Sequence, residues 1–155
     1  MKKGWMLGAA MLMAGCAQPV KETVMEPVQK EETAKNSEAL SYGEALAAAF
    51  KDNGYAVTDI DNEMYEYSFD ATSNTGRVEA SVGTHNVLAE YAHEAKQGTV
   101  EETDKDHEIT TCLDKEDGTY DLIALDKKNE VLYEVDDVAE GDLEQMRSIL
   151  SSVGF

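Results

Sequence analysis

Three stretches of this chain repeat apolar residues at helical spacing. Each ends in a glycine followed within two residues by an apolar side chain: Gly54 before Tyr55, Gly98 before Val100, and Gly154 before Phe155. Glycine readily takes the left-handed backbone conformation that closes a helix, and the apolar residue after it folds back onto the last turn. The three positions are therefore read as helix ends. Between them the apolar period drops to two, as in strands with one buried face. A chain that switches period in this way is expected to build an α+β fold.

The first helix is predicted from Ser41. Ser41-Tyr42-Gly43-Glu44 is a capping-box pattern, and Tyr42, Leu46, Ala49 and Phe50 recur behind it on one face. A second helix is predicted from Thr84 to near Gln97, with Val87, Leu88, Tyr91, Ala92 and Ala95 as its stripe. A third begins near Val138–Asp142 and carries Leu143, Met146, Ile149, Leu150 and Val153. Strands are predicted at 55–60, along Tyr65, Tyr67 and Phe69, along Val78, Ala80 and Val82, and near 107–113, 119–125 and 130–135. Asp117-Gly118 between two such runs is a strong hairpin signal. The expected architecture is an antiparallel sheet of about five to six strands, with three amphipathic helices packed mainly on one face.

The N-terminus has a different character. Lys2 and Lys3 precede an apolar run from Gly4 to Met13, and the segment closes on Leu12-Met13-Ala14-Gly15-Cys16. A basic start, a short apolar core and a small-residue end make a signal peptide. The run is too short to cross a bilayer as a helix, which takes about twenty residues. The closing residues resemble the lipobox of bacterial lipoproteins, although the family usually has leucine where Met13 stands. The resemblance implies a diacylglyceryl group on the Cys16 thiol, cleavage after Gly15, and further acylation of the new N-terminus, a palmitate-type anchor. Two or three acyl chains hold a protein stably, since each buried methylene contributes about 0.8 kcal/mol. The expected organisation is a signal peptide over 1–15, a lipidated and disordered tether over 16–40, and one α+β domain over 41–155. The tether contains both prolines, Pro19 and Pro27, and is rich in Lys, Glu and Thr. Such composition buries too little apolar surface to offset ordering entropy. The membrane, reached through lipid, is one expected partner. The expected location is the extracytoplasmic side of the cell membrane, or the outer membrane in an organism with two.

Charge narrows the partners further. The chain carries 13 basic and 32 acidic residues. Removing 1–15 takes away Lys2 and Lys3 and no acid, which leaves 11 bases against 32 acids and a net charge of −21. Nucleic-acid binding, which needs clustered Lys and Arg, is not expected. With Cys16 lipidated, Cys112 has no cysteine partner, so stability must come from a packed core.

A second resemblance concerns the domain. Phe50-Lys51-Asp52-Asn53-Gly54-Tyr55, Asn129-Glu130-Val131-Leu132-Tyr133 and Ile149-Leu150-Ser151-Ser152-Val153-Gly154-Phe155 are similar to segments of small uncharacterised lipoproteins of low-GC Gram-positive bacteria. An arginine often precedes that asparagine in those proteins, and here Asp126 does. The likeness implies fold and location and carries no activity.

The residues offer little catalytic chemistry. His85 and His93 are eight apart on one predicted helix, more than about 10 Å along its axis, so one metal cannot bridge them. His93-Glu94 is followed by Gln97 where a zincin has its second histidine. His107 is read, like these two, as a surface or helix-end residue. Cys112 alternates within a strand and is read as a small buried hydrophobe. No serine lies in a Gly-x-Ser-x-Gly elbow. Asp114-Lys115-Glu116-Asp117-Gly118 lacks three ligands of a calcium loop and reads as a turn. Asp136-Asp137 with Glu140 reads as an oxygen-rich turn. Asp59, Asp61 and Glu63, with the alternating Tyr65 and Tyr67, remain as candidate cation or ligand contacts, although Phe69 continues the tyrosine stripe and core packing is the favoured reading of both tyrosines. No catalytic residue, metal site or cofactor is expected. The expected function is a non-catalytic binding or accessory module of the cell envelope, with an envelope protein as partner. The alternatives are an envelope hydrolase with sparse motifs and a divalent-cation-responsive domain.

Overall fold

The computed structural model describes residues 28–102 and 104–155. The expected signal peptide, Cys16 and the tether as far as Pro27 lie outside the described residues. Helix α1 spans Val28–Asp52 and leads into strands β1 (Ala56–Asn62), β2 (Glu66–Thr72) and β3 (Arg77–Gly83). Helix α2 (Val87–Glu94) is followed by β4 (Thr99–Glu102), β5 (His107–Leu113), β6 (Tyr120–Asp126) and β7 (Val131–Val138). A 3₁₀ turn at Glu140–Asp142 then opens helix α3 (Leu143–Ser152). The expected α+β class holds. All neighbouring strands are antiparallel, in the order β1-β2-β3-β7-β6-β5-β4. Two meanders, β1-β2-β3 and β4-β5-β6-β7, are joined side by side through β3 and β7.

Three local expectations are corrected. Ser41 is not a helix N-cap, because α1 runs back to Val28, just after Pro27. Nothing between them breaks a helix, and Gln29, Lys30, Glu31, Glu32, Ala34 and Lys35 are good helix formers. Ala39, close to the expected boundary, is fully buried. The second helix is shorter than its stripe suggested. Val87 and Tyr91 are buried, but Leu88 is 47 % exposed, and the chain turns out of the helix after Glu94 to add the unexpected edge strand β4. The third helix is preceded by a longer strand, since Asp136 and Asp137 belong to β7 and not to a turn.

The glycine endings divide accordingly. Gly54 (φ +87°) and Gly154 (φ +128°) are left-handed helix stops. Tyr55 N–H donates to the Phe50 carbonyl at 3.1 Å and Phe155 N–H to that of Leu150 at 3.3 Å. These are paired Schellman closures. The Tyr55 ring packs edge-on against Phe50, with centroids 5.3 Å apart. Gly98 has another reason. A Cβ there would lie 2.6 Å from Cys112 Sγ, from Thr110 Cγ2 and from the Thr111 carbonyl oxygen. Close approach to β5, and not helix closure, requires that glycine.

The sheet has one closed face and one half-open face. On the first, α1 and α3 lay Leu46, Phe50, Met146, Ile149 and Leu150 over Phe69, Val82, Leu122, Tyr133 and Val135. On the second, Val87 and Tyr91 of α2 pack on Cys112, Ile123, Leu125 and Leu132, over β5, β6 and the start of β7. Tyr91 Oη and Thr110 Oγ1 share a buried 2.8 Å hydrogen bond there. The β2–β3 half of this face has no helix over it among the described residues.

Candidate functional site

Strand alternation decides what the uncovered half-face presents. Tyr67, Phe69 and Ala71 of β2 point to the core, so Glu66, Ser68 and Asp70 point the other way. In β3, Val78, Ala80 and Val82 point in, so Arg77, Glu79 and Ser81 point out. In β7, Tyr133 and Val135 point in, and Glu134 and Asp136 point out. A bulge at Asp136–Asp137, with Asp137 at φ 62°, then brings Val138 back to the core. The result is a polar groove of about 270 Å3 lined by carboxylates and two serines.

The carboxylates are unequal. Arg77 Nη2 meets both Asp70 oxygens at 2.8 Å and Glu79 Oε1 at 2.9 Å, which compensates the far end of the strip. Glu134 and Asp136 sit on the central strand, between β3 and β6. Burial, followed by the negative field of Asp136, Glu90 and Glu94, pushes the Glu134 carboxyl up to about 7. Burial and the nearby Asp121, Asp137, Glu79 and Glu94 push Asp136 up to about 6. Asp121 is raised for the same reasons, burial first. Glu134 accepts a long 3.4 Å hydrogen bond from Ser81 Oγ.

Beside this groove, a cleft of about 340 Å3 opens between the β1–β2 turn, the loop before α2 and α2 itself. Leu132 and Glu134 line it from β7. The rings of Tyr65 and His85 stack along it, 4.6 Å apart and 23° from parallel, and Glu63, Glu66 and Glu90 contribute carboxylates.

The residues singled out from the sequence separate. Glu63 and Tyr65 line the cleft and Asp59 the groove. Asp61 accepts the Asn62 amide at 2.8 Å, and Asp59, at φ 50° in the β1 bulge, accepts Thr58 Oγ1 at 3.1 Å. Tyr67 is only 4 % exposed and faces the core. Asp114 and Asp117 serve their own hairpin. Asp114 Oδ1 accepts the Glu116 amide at 2.7 Å, and Asp117 Oδ1 accepts both the hydroxyl and the amide of Thr119. Those bonds hold Asp117 below the usual carboxylate range. Among the described residues, no group of three His, Cys, Asp or Glu side chains is arranged to hold a metal ion.

Two further groups have structural roles. His107 Nδ1 lies 2.7 Å from Asp104 Oδ2, and its Nε2 lies 3.7 Å from Asp126 Oδ2. Its ring packs edge-on against Phe155. Burial alone would raise Asp126, but the backbone and side-chain amides of Asn129, His107 and the Lys128 amide more than offset it, so its carboxyl sits below the ordinary value. This cluster ties the β6–β7 turn to the C-terminus. Cys112 is buried beneath α2, with its thiol 3.8 Å from the Glu94 carbonyl, and burial pushes the thiol up, away from the reactive thiolate.

Sequence reading missed Glu66, Glu79, Glu90 and Glu134 as site residues. A local signal existed for Glu134, an acid between two core positions of one strand. Alternation alone reads such a residue as a solvated face, and only the central position of β7 makes it costly. Comparison with known proteins finds no matching family model, no matching curated relative and no matching solved structure.

Proposed function

We propose that this chain is a lipoprotein held through Cys16 on the extracytoplasmic side of the membrane, a non-catalytic binding or accessory module of the cell envelope. Its binding surface is the half of the sheet that α2 leaves uncovered. One observation carries this reading: Glu134 and Asp136 are held on the central strand of that surface at the cost of desolvation and mutual repulsion. Half-buried acids with no cationic partner among the described residues lower stability, so a surface of this kind is explained more readily by a ligand than by the fold.

The anchor is tested by Cys16→Ser. The precursor should lose lipid labelling and leave the membrane fraction, and a lipid-labelled mature form in that variant would refute the assignment. The binding surface is tested by in-cell photocrosslinking from Ser68 or Ser81, with exposed Ala48 on α1 as control. A specific protein adduct is expected from the half-face only. Equal capture from Ala48 would remove the half-face from the proposal.

The hydrolase reading rests on one feature. A carboxyl near 7 beside a second acid has the protonation needed for general acid catalysis. However, Glu134 and Asp136 project from alternate positions of one strand into an open groove, and among the described residues no nucleophile faces them across a closed site. A turnover found with envelope polymers and lost in Glu134→Gln would favour that reading. A divalent-cation-responsive domain would show a calcium-dependent rise in Tm, and no shift at millimolar calcium would eliminate it.

A further inference from the structure

We propose that the cleft between the Tyr65–His85 ring stack and Glu134 binds an alkyl ammonium or guanidinium group. This inference rests on the reading of the chain as a binding module and names the ligand class of one part of its surface. The volume, about 340 Å3, is within the range of small-ligand sites, which run from about 300 to 1,000 Å3.

Three features of the lining select the ligand. The first is charge: Glu63, Glu66, Glu90 and Glu134 line the cleft, and no lysine or arginine does among the described residues. The second is aromatic: the Tyr65 and His85 rings, stacked on each other, both line the cleft. An ammonium or guanidinium within about 6 Å of an aromatic face is attracted by the ring quadrupole. The third is the apolar part of the lining, chiefly the exposed Met64 with the buried Leu132 beside it, which suits a methylene chain and not a bare ion.

A metal ion is the obvious competitor, and the geometry disfavours it. Calcium takes about six to eight oxygens at 2.3–2.6 Å. The carboxylates here come from the β1–β2 turn, β2, α2 and β7, and they form no metal-holding group of three. Contributed by four separate elements and not gathered at one point, they match an elongated cation better than a point charge. Glu134 is the acid at which a cation would gain most. Ser81 Oγ approaches it only at 3.4 Å, and an N⁺–H donor would supply the short, charge-assisted bond that it lacks.

The test uses the lipidated full chain in nonionic micelles, titrated calorimetrically at neutral pH. The probes are hexylamine, hexanol, spermidine and a tetralysine peptide. Saturable binding of hexylamine and spermidine is expected, and hexanol should not bind. Glu134→Gln should weaken the amines about tenfold or more, as expected for loss of a hydrogen bond to a charged group. Its Tm should equal or exceed that of the unaltered protein, which separates lost binding from lost folding. His85→Ala should weaken binding several-fold and His85→Phe should restore it. Glu116→Gln, in the distant β5–β6 turn, should leave affinity unchanged. Tetralysine binding tighter than spermidine would identify a polypeptide side chain as the source, and the reverse would identify a free polyamine. The proposal is overturned if no amine saturates, if hexanol binds as well as hexylamine, or if Glu116→Gln weakens binding as much as Glu134→Gln. Each of those results would leave the anchoring and crosslinking outcomes untouched, so the failure of this inference and the failure of the binding-module reading remain distinct.

Discussion

The two faces of the sheet are built from the same seven strands and are used in opposite ways. Under α1 and α3 the strands present Phe69, Val82, Leu122, Tyr133 and Val135, and the helices close over them. On the other face α2 closes only the β5–β6 side, and the β2–β3 side presents Glu66, Asp70, Glu79, Glu134 and Asp136. The closed face supplies the stability. The half-open face gives some of it back, because its central carboxylates are partly desolvated with no cation beside Glu134 among the described residues. Proteins commonly carry such local conflicts at functional sites, and the proposed binding surface rests on this asymmetry.

The sharpest way to break the comparison is to cut each face and compare the damage. Phe50→Ala removes a fully buried ring packed against Tyr55 and Phe69, and it should cost about 3–5 kcal/mol in urea unfolding. Leu125→Ala beneath α2 should cost visibly less. Equal losses would mean that both faces carry the fold alike.

The acids give the next effect. In the folded state Glu134 and Asp136 hold protons more tightly than in the unfolded chain, their carboxyls being raised to about 7 and about 6. Folded protein therefore binds more protons between the ordinary carboxylate range and pH ~7, and stability falls as pH rises through that window. Tm should climb on acidification from about pH 7.5 to 5.5. The double variant Glu134→Gln, Asp136→Asn should be more stable near neutrality and should lose most of that slope. An unchanged slope would show that overall net charge, and not this pair, governs the pH response.

Smaller effects test the helix ends and the α2 contact. Gly54→Ala forces a side chain into φ +87° and should cost about 1–2 kcal/mol. Tyr91→Phe deletes the buried hydroxyl that meets Thr110 and should cost about 1–3 kcal/mol, since Thr110 Oγ1 then loses its partner. Protection of the α2 amides from hydrogen exchange should fall in Tyr91→Phe, while the amides of α1 keep theirs. If α1 loosens as well, the faces are one cooperative unit.

Much of the fold is legible in the sequence. Periodicity located Leu46 and Phe50, Met146 and Ile149, and the inward sides of β2 and β3. Asp117-Gly118 located a hairpin. These are local signals, carried by neighbours three, four or two residues away. The misreadings have physical causes too. Nothing near Ser41 says whether the helix stops there, because a capping residue and an interior residue can be the same amino acid. The stripe through Leu88 and Ala92 promised a longer helix, but α2 buries only a narrow seam and Gly98 must instead approach β5. Of the cleft, Glu63 and Tyr65 were visible as candidates, whereas Glu90 and Glu134 were not, since they reach it from elements distant in the chain.

The sequence by itself determined the α+β class, the packed helix ends at Gly54 and Gly154, the large negative charge and the expectation of a lipidated Cys16. Each of these follows from composition, short-range pattern or backbone preference. Only the tertiary structure decided that β7 crosses to the middle of the sheet between β3 and β6, and that α2 covers one half of its face and not the other. Strand order is set by contacts between residues far apart in the chain, which no local period encodes. That order turns Glu134 from an ordinary solvated acid into the desolvated centre of the proposed binding surface.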